Sequence, residues 1–321
     1  GNSSRGGLPE GAAGGDHAEG GDHAGGGKVE GGDQRKGARG EGTKRKVALL
    51  LAYNGAQYQG LQKNPNAVTV EETLADAIHQ AGGISDANHG DLQKVWWSRA
   101  GRTDKGVHAV GQIISLKLLL RDEDDADHLQ RTTDRINARL EGHAIRVLGL
   151  VRATNAFCAH TMCSSRQYEY LLPTYCLRRE EGSGVTDEKP LNDSELSCLK
   201  ASLAQLQGTH SFHNFTDLKT TCHDKSATRY MIDLKAGEQV VLNGRWYVQL
   251  LFHGQSFMLH QIRKMTAMVA LVSQSGAHHA LTKALAAPRV RPIPRAPSSA
   301  LTLHHALYAT YERRKPPDRD S

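Results

Sequence analysis

Short apolar runs and amphipathic segments follow one another between residues 46 and 312, and this pattern predicts a mixture of strands and helices. Residues 46–53 form an apolar run that ends at Asn54-Gly55, which is typical of a buried strand followed by a turn. Residues 70–81 carry apolar side chains at helical spacing after Thr69, a residue type that caps helices. Further strands are predicted at 112–119, 145–151, 166–174, 246–253 and 301–311, and further helices at 127–140, 193–207 and 256–274.

Residues 1–45 differ from the rest of the chain, because they are rich in glycine and charge and contain almost no aliphatic side chain. Such a segment buries too little apolar surface to offset its ordering entropy, so it is predicted to be a disordered tail. The polar segment 178–190 is predicted to be a domain boundary or a mobile insert, and residues 313–321 a second disordered tail. Between the tails, strands and helices mix without strict βαβ alternation, which favours the α+β class.

Charge and composition narrow the function classes without choosing one. The 321 residues carry a formal net charge of +6, and a basic, enzyme-sized domain is compatible with an RNA or DNA partner. No run is long and apolar enough to span a membrane, so no membrane partner is expected. Cys158, His160 and Cys163 lie close together, but no second ligand pair stands at zinc-finger spacing. Ordinary buried or surface residues are therefore the favoured interpretation, and no metal site is predicted.

The segment 99–112 carries the most informative chemistry. A single acid, Asp104, stands between Arg102 and Lys105 in a glycine-punctuated turn. Nearby positive charge favours the ionised carboxylate, and an ionised, positioned carboxylate acts as a nucleophile or a general base. Taken alone, the tetrapeptide favours an ordinary turn in which Asp104 bonds its own backbone. The motifs further along the chain reverse this preference.

The predicted helix 256–274 is apolar nearly all round, which is typical of a buried helix, yet it carries Arg263 and Lys264 in its middle. Arg263 shares a helix face with Leu259 and Ala270, so its head is predicted to point into the protein. A buried arginine needs an acidic partner, since an unpaired buried charge is strongly destabilising. The alternative is that Arg263 reaches solvent along its aliphatic stem.

Arg166, Tyr168 and Tyr170 alternate along the predicted strand 166–174, so their side chains point to one face of the sheet. A cation beside two aromatic rings suits RNA, because a nucleobase stacks on the rings while a phosphate meets the arginine. The alternative is tyrosine at its ordinary preference for strands, without functional meaning.

Three motifs occur in a fixed order, and together they carry a family resemblance. They are Arg102-Thr-Asp-Lys-Gly-Val-His-Ala109, Arg166-Gln-Tyr-Glu-Tyr170 and Phe257-Met-Leu-His-Gln-Ile-Arg-Lys-Met265. In this order they resemble the TruA family of tRNA pseudouridine synthases. The resemblance covers residues 46–312. Its eukaryotic branch is indicated by segments 52–60, 208–216 and 254–264 and by Arg295-Ala-Pro297.

The resemblance implies a pseudouridine synthase fold, with a central, largely antiparallel sheet built from two ferredoxin-like halves, flanking helices and a basic cleft. The N-terminal half is expected over residues 46–155 with the aspartate motif, and the C-terminal half over 156–312 with the tyrosine and arginine motifs. The implied reaction converts uridine in RNA to pseudouridine: the N-glycosidic bond breaks, the uracil rotates and C5 rejoins C1′. No cofactor or metal is implied.

The same resemblance implies roles for individual residues. Asp104 matches the family's essential aspartate, which attacks the sugar or initiates its deprotonation, and Arg263 matches the arginine that pairs with it. Tyr168 matches the tyrosine that stacks on the target uracil, and Arg102 matches the residue that fills the space left by the flipped nucleotide. The predicted substrate-binding residues are Arg102, Lys105, Arg166, Tyr168 and Lys264.

The expected partner is tRNA, at the anticodon stem and neighbouring sites, with small nuclear or messenger RNA as further substrates. A monomer is expected, in the nucleus and also in the mitochondrion. Lys105, His108 and Leu61 depart from the residues of bacterial or animal members, and none of the three touches the proposed chemistry.

Two other function classes stay open. The first is a non-catalytic tRNA-binding or tRNA-folding protein that keeps the fold, although the presence of Asp104, Tyr168 and Arg263 argues against a decayed enzyme. The second is a phosphate-handling enzyme that uses the turn 101–106 as a cradle; this turn lacks Walker spacing and an accompanying acid cluster.

Overall fold

The computed structural model describes residues 42–120, 127–178, 189–217 and 219–314. Most of the two predicted tails and residues 179–188 of the predicted polar insert lie outside these ranges. The strands are β1 (Thr43–Tyr53), β2 (Ser98–Arg99), β3 (His108–Leu120), β4 (Ile145–Arg152), β5 (Ser165–Pro173), β6 (Gly208–Ser211), β7 (Thr228–Leu242), β8 (Arg245–Gly254) and β9 (Leu301–Leu307). The α-helices are α1 (Val70–Gln80), α2 (His128–Arg139), α3 (Asp193–Ala204), α4 (Gln261–Ser275), α5 (His279–Ala286) and α6 (Ala309–Arg314).

All of these strands form one sheet in the order β4-β1-β3-β9-β5-β8-β7-β6, with β2 paired to β3. The pairings are antiparallel except for a short parallel contact between β3 and β9, where His108 and Ala109 face Thr302 and Leu303. This architecture confirms the predicted α+β class and the largely antiparallel sheet. The β3–β9 contact brings the start of β3, four residues after Asp104, next to the last strand of the described chain.

One face of the sheet packs against the main hydrophobic core, as β1 shows. Val47, Leu49 and Leu51 are fully buried, whereas Leu50 between them is exposed, as the two-residue period of a strand requires. The buried side chains join the apolar faces of the helices in one large core, to which α1 contributes Ile78. The functional loops are therefore attached to a closely packed scaffold.

Several predicted elements are confirmed, with shifted ends. Helix α1 begins after Thr69, whose hydroxyl accepts the N–H of Glu72 at 3.3 Å, as predicted for an N-cap. Strand β1 begins at Thr43, inside the segment predicted to be a disordered tail, because residues 43–46 pair in register with residues 117–120 of β3.

Two predicted boundaries were wrong for local reasons. Helix α4 begins at Gln261 rather than at 256, because His260 adopts a left-handed conformation (φ 62°) and Gln261 accepts the N–H of Met258 at 2.9 Å. Arg263 and Lys264 consequently lie in the first turn of the helix, not in its middle.

The predicted last strand 301–311 ends at Leu307. Tyr308 is buried and donates its hydroxyl to the Ala159 carbonyl at 2.8 Å, and α6 follows from Ala309. Helix α6 also includes residues 313 and 314, which were predicted to belong to the second tail.

Strand β7 was missed by the sequence pattern. Its register against β8 shifts between Met231 and Asp233 and again between Ala236 and Gln239, so its side chains do not keep a simple two-residue alternation. Within the described ranges, no helix has the length and apolar character needed to cross a membrane.

Candidate active site

A cavity of about 580 Å³ lies between the loop that follows β2, strand β5 and the beginning of α4. Five of the seven residues predicted to form the site line this cavity, although they come from three distant parts of the chain: Arg102, Asp104, Arg166, Tyr168 and Arg263. The two others, Lys105 and Lys264, do not line it.

The loop that carries Asp104 is anchored to the scaffold on both sides. The Gly101 carbonyl accepts a hydrogen bond from the Gln112 side chain at 2.8 Å, and the Thr103 carbonyl accepts the N–H of Leu61 at 3.1 Å. The Thr103 hydroxyl also bonds the Tyr53 hydroxyl at 2.8 Å. Burial raises the pKa of Tyr53 to about 12, so this phenol keeps its proton at neutral pH. The backbone around Asp104 is therefore held in place.

Asp104 begins the tight turn that the sequence predicted. Its carbonyl accepts the N–H of Val107 at 3.1 Å, and Gly106 supplies the positive φ of 78° that this turn requires. The turn packs closely on Gly55, where an added Cβ would lie 2.0 Å from the Val107 carbonyl oxygen. Asp104 therefore contributes to both the turn and the site, because its backbone carbonyl forms the turn while its side chain faces Arg263 in the cavity.

Arg263 pairs with Asp104, which is the acidic partner predicted for a buried arginine at this position. Its Nη1 lies 3.4 Å from Oδ2 of Asp104, and the two side chains are 15% and 21% exposed. Arg263 is oriented by Ala296, because its Nε donates to the Ala296 carbonyl at 2.7 Å while the Ala296 N–H donates to the Arg263 carbonyl at 3.1 Å. The guanidinium thus faces the carboxylate from a fixed position.

The sequence reasoning missed His260 as a site residue. Its Nε2 lies 3.5 Å from Oδ2 of Asp104 and 3.2 Å from Nη1 of Arg295. Burial lowers the pKa of His260, the cations Arg295, Arg263 and Lys264 lower it further, and Asp104 opposes them. The neutral ring accepts from Arg295 through Nε2. The apolar pattern around His260 gave no signal for this role, although histidine is enriched among the few non-glycine residues that adopt a left-handed backbone.

Tyr168 forms the apolar wall of the cavity. It lies on β5 where the register against β9 shifts, and its ring packs edge-on against Phe257 with centroids 5.1 Å apart. Burial raises the pKa of Tyr168, so the phenol is protonated. Tyr170 shares the strand face as predicted, but its hydroxyl donates to the Pro297 carbonyl outside this cavity.

Arg166 is nearly fully buried and binds backbone. Its Nε and Nη2 donate to the Ala100 carbonyl at 3.0 and 2.5 Å, and its Nη1 donates to the Gln255 carbonyl at 2.9 Å. These bonds join the chain just before the Asp104 loop to the chain after β8. The predicted contact between Arg166 and substrate stays a prediction.

The three remaining predicted cations lie in different surroundings. Arg102 is exposed at the cavity, and Lys105 is exposed on the turn itself. Lys264 is buried and donates to the Thr216 carbonyl at 2.6 Å, and burial lowers its pKa. It lines a neighbouring cavity of about 650 Å³ together with Arg295.

The described residues contain no group of three or more histidine, cysteine, aspartate or glutamate side chains arranged to hold a metal ion. Cys158, His160 and Cys163 have other surroundings. The Cys158 thiol lies 3.2 Å from the Ser98 hydroxyl, the Cys163 thiol donates to the Ser165 carbonyl, and His160 lines the cavity.

Comparison with known proteins gives a consistent family. A family model described as tRNA pseudouridine synthase matches residues 203–309, the part that contains α4. Pseudouridylate synthase 1 homologs of Mus musculus and Homo sapiens are each 36% identical to this chain, and tRNA pseudouridine synthase 1 of Saccharomyces cerevisiae is 33% identical. Each match covers 84% of this chain. The chain spans 62%, 61% and 62% of the length of these relatives, respectively.

A solved structure of an unknown protein from Galdieria sulphuraria aligns with 73% of this chain and 94% of its own, at 10% identity and a TM-score of 0.19, which is too low to support an argument about the fold. The sequence matches place the chain in the class of pseudouridine synthases. Within that class, the chain belongs to the TruA family, as its motifs predicted.

Proposed function

We propose that this protein isomerises uridine to pseudouridine in tRNA. The observation that carries the proposal is the convergence of Asp104, Arg263 and Tyr168 on one cavity, in a chain whose family is defined by this chemistry. The names of the yeast and mammalian relatives support the same substrate and reaction.

In the proposed reaction, Asp104 is the reacting group. Its carboxylate is ionised beside the fixed charge of Arg263, and it either attacks C1′ of the target uridine or starts the deprotonation of the sugar. The bond between N1 and C1′ then breaks, the uracil rotates, and a bond forms between C5 and C1′. The hydrogen on C5 leaves as a proton and N1 gains one, so the product is an isomer of the substrate.

The cavity accounts for the other requirements of this reaction. C1′ and C5 of a stacked, paired uridine are not jointly accessible, so the nucleotide must leave the helix. A volume of about 580 Å³ lies in the range typical of small-molecule sites. The ring of Tyr168 offers an apolar face on which the uracil stacks, and Arg102 stands exposed beside the cavity to fill the space that the nucleotide leaves.

We also propose the finer architecture that the resemblance implies, namely two ferredoxin-like halves with a basic cleft between them. The strand order supports this, since β4, β1 and β3 stand on one side of β9 and β5, β8 and β7 stand on the other. The Asp104 loop comes from the first group, and Tyr168 comes from the second. The cations Arg102, Arg166, Arg229 and Arg263 around the cavity support the basic character of the cleft.

Activity on small nuclear or messenger RNA, a monomeric state and a location in the nucleus and the mitochondrion are further parts of this proposal. They rest on the resemblance to the eukaryotic branch of the family. Pseudouridine maps of each RNA class, light scattering in solution and imaging of the tagged protein test them one by one.

The proposed function is tested by mapping pseudouridine in total tRNA after incubation with the wild-type protein or with Asp104→Asn. New sites that appear with the wild type and not with the variant would support both the reaction and the reacting residue. New sites with neither protein, although both are folded and bind tRNA, would favour the non-catalytic tRNA-binding function instead.

A further inference from the structure

Two adjacent tryptophans precede the Asp104 loop, and their surroundings are opposite. The indole of Trp97 donates to the buried carboxylate of Glu71 at 2.8 Å. Trp96 is 61% exposed, and its backbone adopts a left-handed conformation with φ 55°. This conformation is unfavourable for a bulky residue and persists only where the surroundings enforce it. The fold thus holds a large aromatic ring out in solvent against a local cost.

Two lysines support this arrangement. Lys46 on β1 is only 4% exposed, and its Nζ donates to the Trp96 carbonyl at 3.1 Å, so a buried cation fixes the strained backbone. Lys117 on β3 places its Nζ 4.4 Å from the centre of the Trp96 ring, which is a cation–π contact. With Lys117 against one face, the large exposed area of Trp96 leaves the other face open to a planar partner.

The Trp96 site is connected to the catalytic cavity. Trp96 precedes Gly101, a cavity-lining residue, by five residues that include the two-residue strand β2, and five residues span at most roughly 17 Å even when fully extended. His160, another lining residue, donates its backbone N–H to the Ser98 hydroxyl on the same strand at 3.1 Å. A strand of RNA with one nucleotide in the cavity is therefore long enough to reach Trp96.

We infer that Trp96 and Lys117 form a second RNA-binding site, at which an unpaired nucleobase flanking the target uridine stacks on the indole and Lys117 meets a backbone phosphate. This inference rests on the proposed function for its RNA partner. An exposed aromatic face combined with a cation is the usual platform for an unstacked base in single-stranded RNA. The positive charge of Lys117 beside the ring complements the phosphates.

The first test measures tRNA binding by the Trp96→Ala variant at fixed salt. We expect the Kd to rise roughly five- to 100-fold, the range for loss of one stacked base. Trp96→Phe keeps an aromatic face and should change the Kd much less. The matched control is Val241→Ala, which removes another half-exposed apolar side chain, on β7, and should leave the Kd unchanged.

A second test uses the intrinsic fluorescence of the three tryptophans. Stacking of a base on Trp96 should quench part of the wild-type emission when tRNA is added, and this part should be missing in Trp96→Phe. Lys117→Gln should reduce the slope of log affinity against log salt by about one phosphate contact.

Equal tRNA affinity in the wild type and Trp96→Ala, with equal quenching in the wild type and Trp96→Phe, would overturn the inference and leave a protein partner as the candidate occupant. Failure of the second site can be distinguished from failure of the proposed function. If Trp96→Ala binds normally while the wild type forms pseudouridine, only the second site is wrong. If Trp96→Ala binds weakly while the wild type forms none, only the catalytic proposal is wrong.

Discussion

Two carboxylate–arginine pairs in this protein differ in nearly every property that governs reactivity. The Glu71 side chain is fully buried, and its oxygens accept hydrogen bonds from Arg99, from the Trp97 indole at 2.8 Å and from the Lys63 N–H at 3.0 Å. These donors satisfy the carboxylate inside the fold. The pair fixes the start of α1 against β2, immediately before the Asp104 loop.

The Asp104–Arg263 pair is open by comparison. The contact of 3.4 Å is at the long end for a hydrogen bond, the Asp104 side chain is 21% exposed, and both residues line the cavity. A carboxylate that is charged, accessible and only loosely held retains the capacity to react. The tighter of these two pairs therefore has a structural role, and the looser one leaves its carboxylate able to react.

The largest effect is expected from Asp104→Asn, which keeps the shape of the side chain and removes its charge. The rate of pseudouridine formation in tRNA should fall by at least about 10³-fold, because the reacting group is lost. The melting temperature and the tRNA Kd should stay close to wild type. Single-turnover assays with saturating enzyme measure the first quantity, and thermal unfolding and filter binding measure the others.

Glu71→Ala should act on stability. Removal of the buried carboxylate leaves Arg99 without its charge partner, and the free energy of unfolding should fall by about 3–5 kcal/mol. The matched control is Glu72→Ala, since Glu72 is the half-buried neighbour that forms a 3.7 Å pair with Lys63 and should contribute less than about 1 kcal/mol. Equal losses in the two variants, measured by urea unfolding, would remove the distinction between the two pairs.

Arg263→Gln tests whether the open pair acts in the reaction. The variant removes the charge beside Asp104, and kcat should fall about 10²- to 10³-fold, the range for loss of one electrostatic donor. Because Arg263 also bonds Ala296, Arg263→Lys separates the two effects: it keeps the charge and loses the bond from Nε. A kcat in Arg263→Gln that matches the wild type would show that the pair is structural after all.

The smallest expected effect is a pH dependence through His260. Its pKa is lowered from about 6.5, so the ring is neutral at pH 7 and gains a proton only at more acidic pH. The protonated Nε2 then donates to Asp104 and makes the carboxylate less reactive, so activity should fall severalfold as the pH drops below 6.5. His260→Gln should flatten this acidic limb, while His279→Gln, at an exposed position on α5, should not.

Protonation of His260 should lower the stability of the fold at acidic pH, just as it should lower the activity. The folded state binds this proton less readily than the unfolded chain, so stability is greatest above pH 6.5 and decreases as the pH falls through the lowered pKa. An acidic limb of activity that persists unchanged in His260→Gln would assign the titration to another group.

The motifs predicted three side chains that line the same cavity, but they also predicted Lys105 and Lys264, which do not line it. Asp104, Tyr168 and Arg263 were identified from their segments, and burial alone indicated that Arg263 needs an acidic partner. The bonds that orient these residues were not predictable, because they involve backbone carbonyls of distant segments, such as Ala296 for Arg263 and Ala100 for Arg166. Backbone acceptors have no signature in the sequence.

Local geometry explains the other errors in the sequence analysis. The apolar pattern continues through 256–260, so it gave no sign that His260 turns left-handed and delays the start of α4. That turn is also what brings the His260 ring to Asp104. The register shifts in β7 likewise left its side chains without a simple two-residue alternation by which this strand could be identified.

The part of Asp104 in the reaction is tested by the release of tritium from tRNA that carries tritium at C5 of uridine, because formation of the bond between C5 and C1′ displaces that hydrogen. Wild type and Glu72→Ala should release tritium at similar rates, and Asp104→Asn should release none while it binds the same tRNA with unchanged Kd. Release by Asp104→Asn at the wild-type rate would show that the open carboxylate has no part in the reaction.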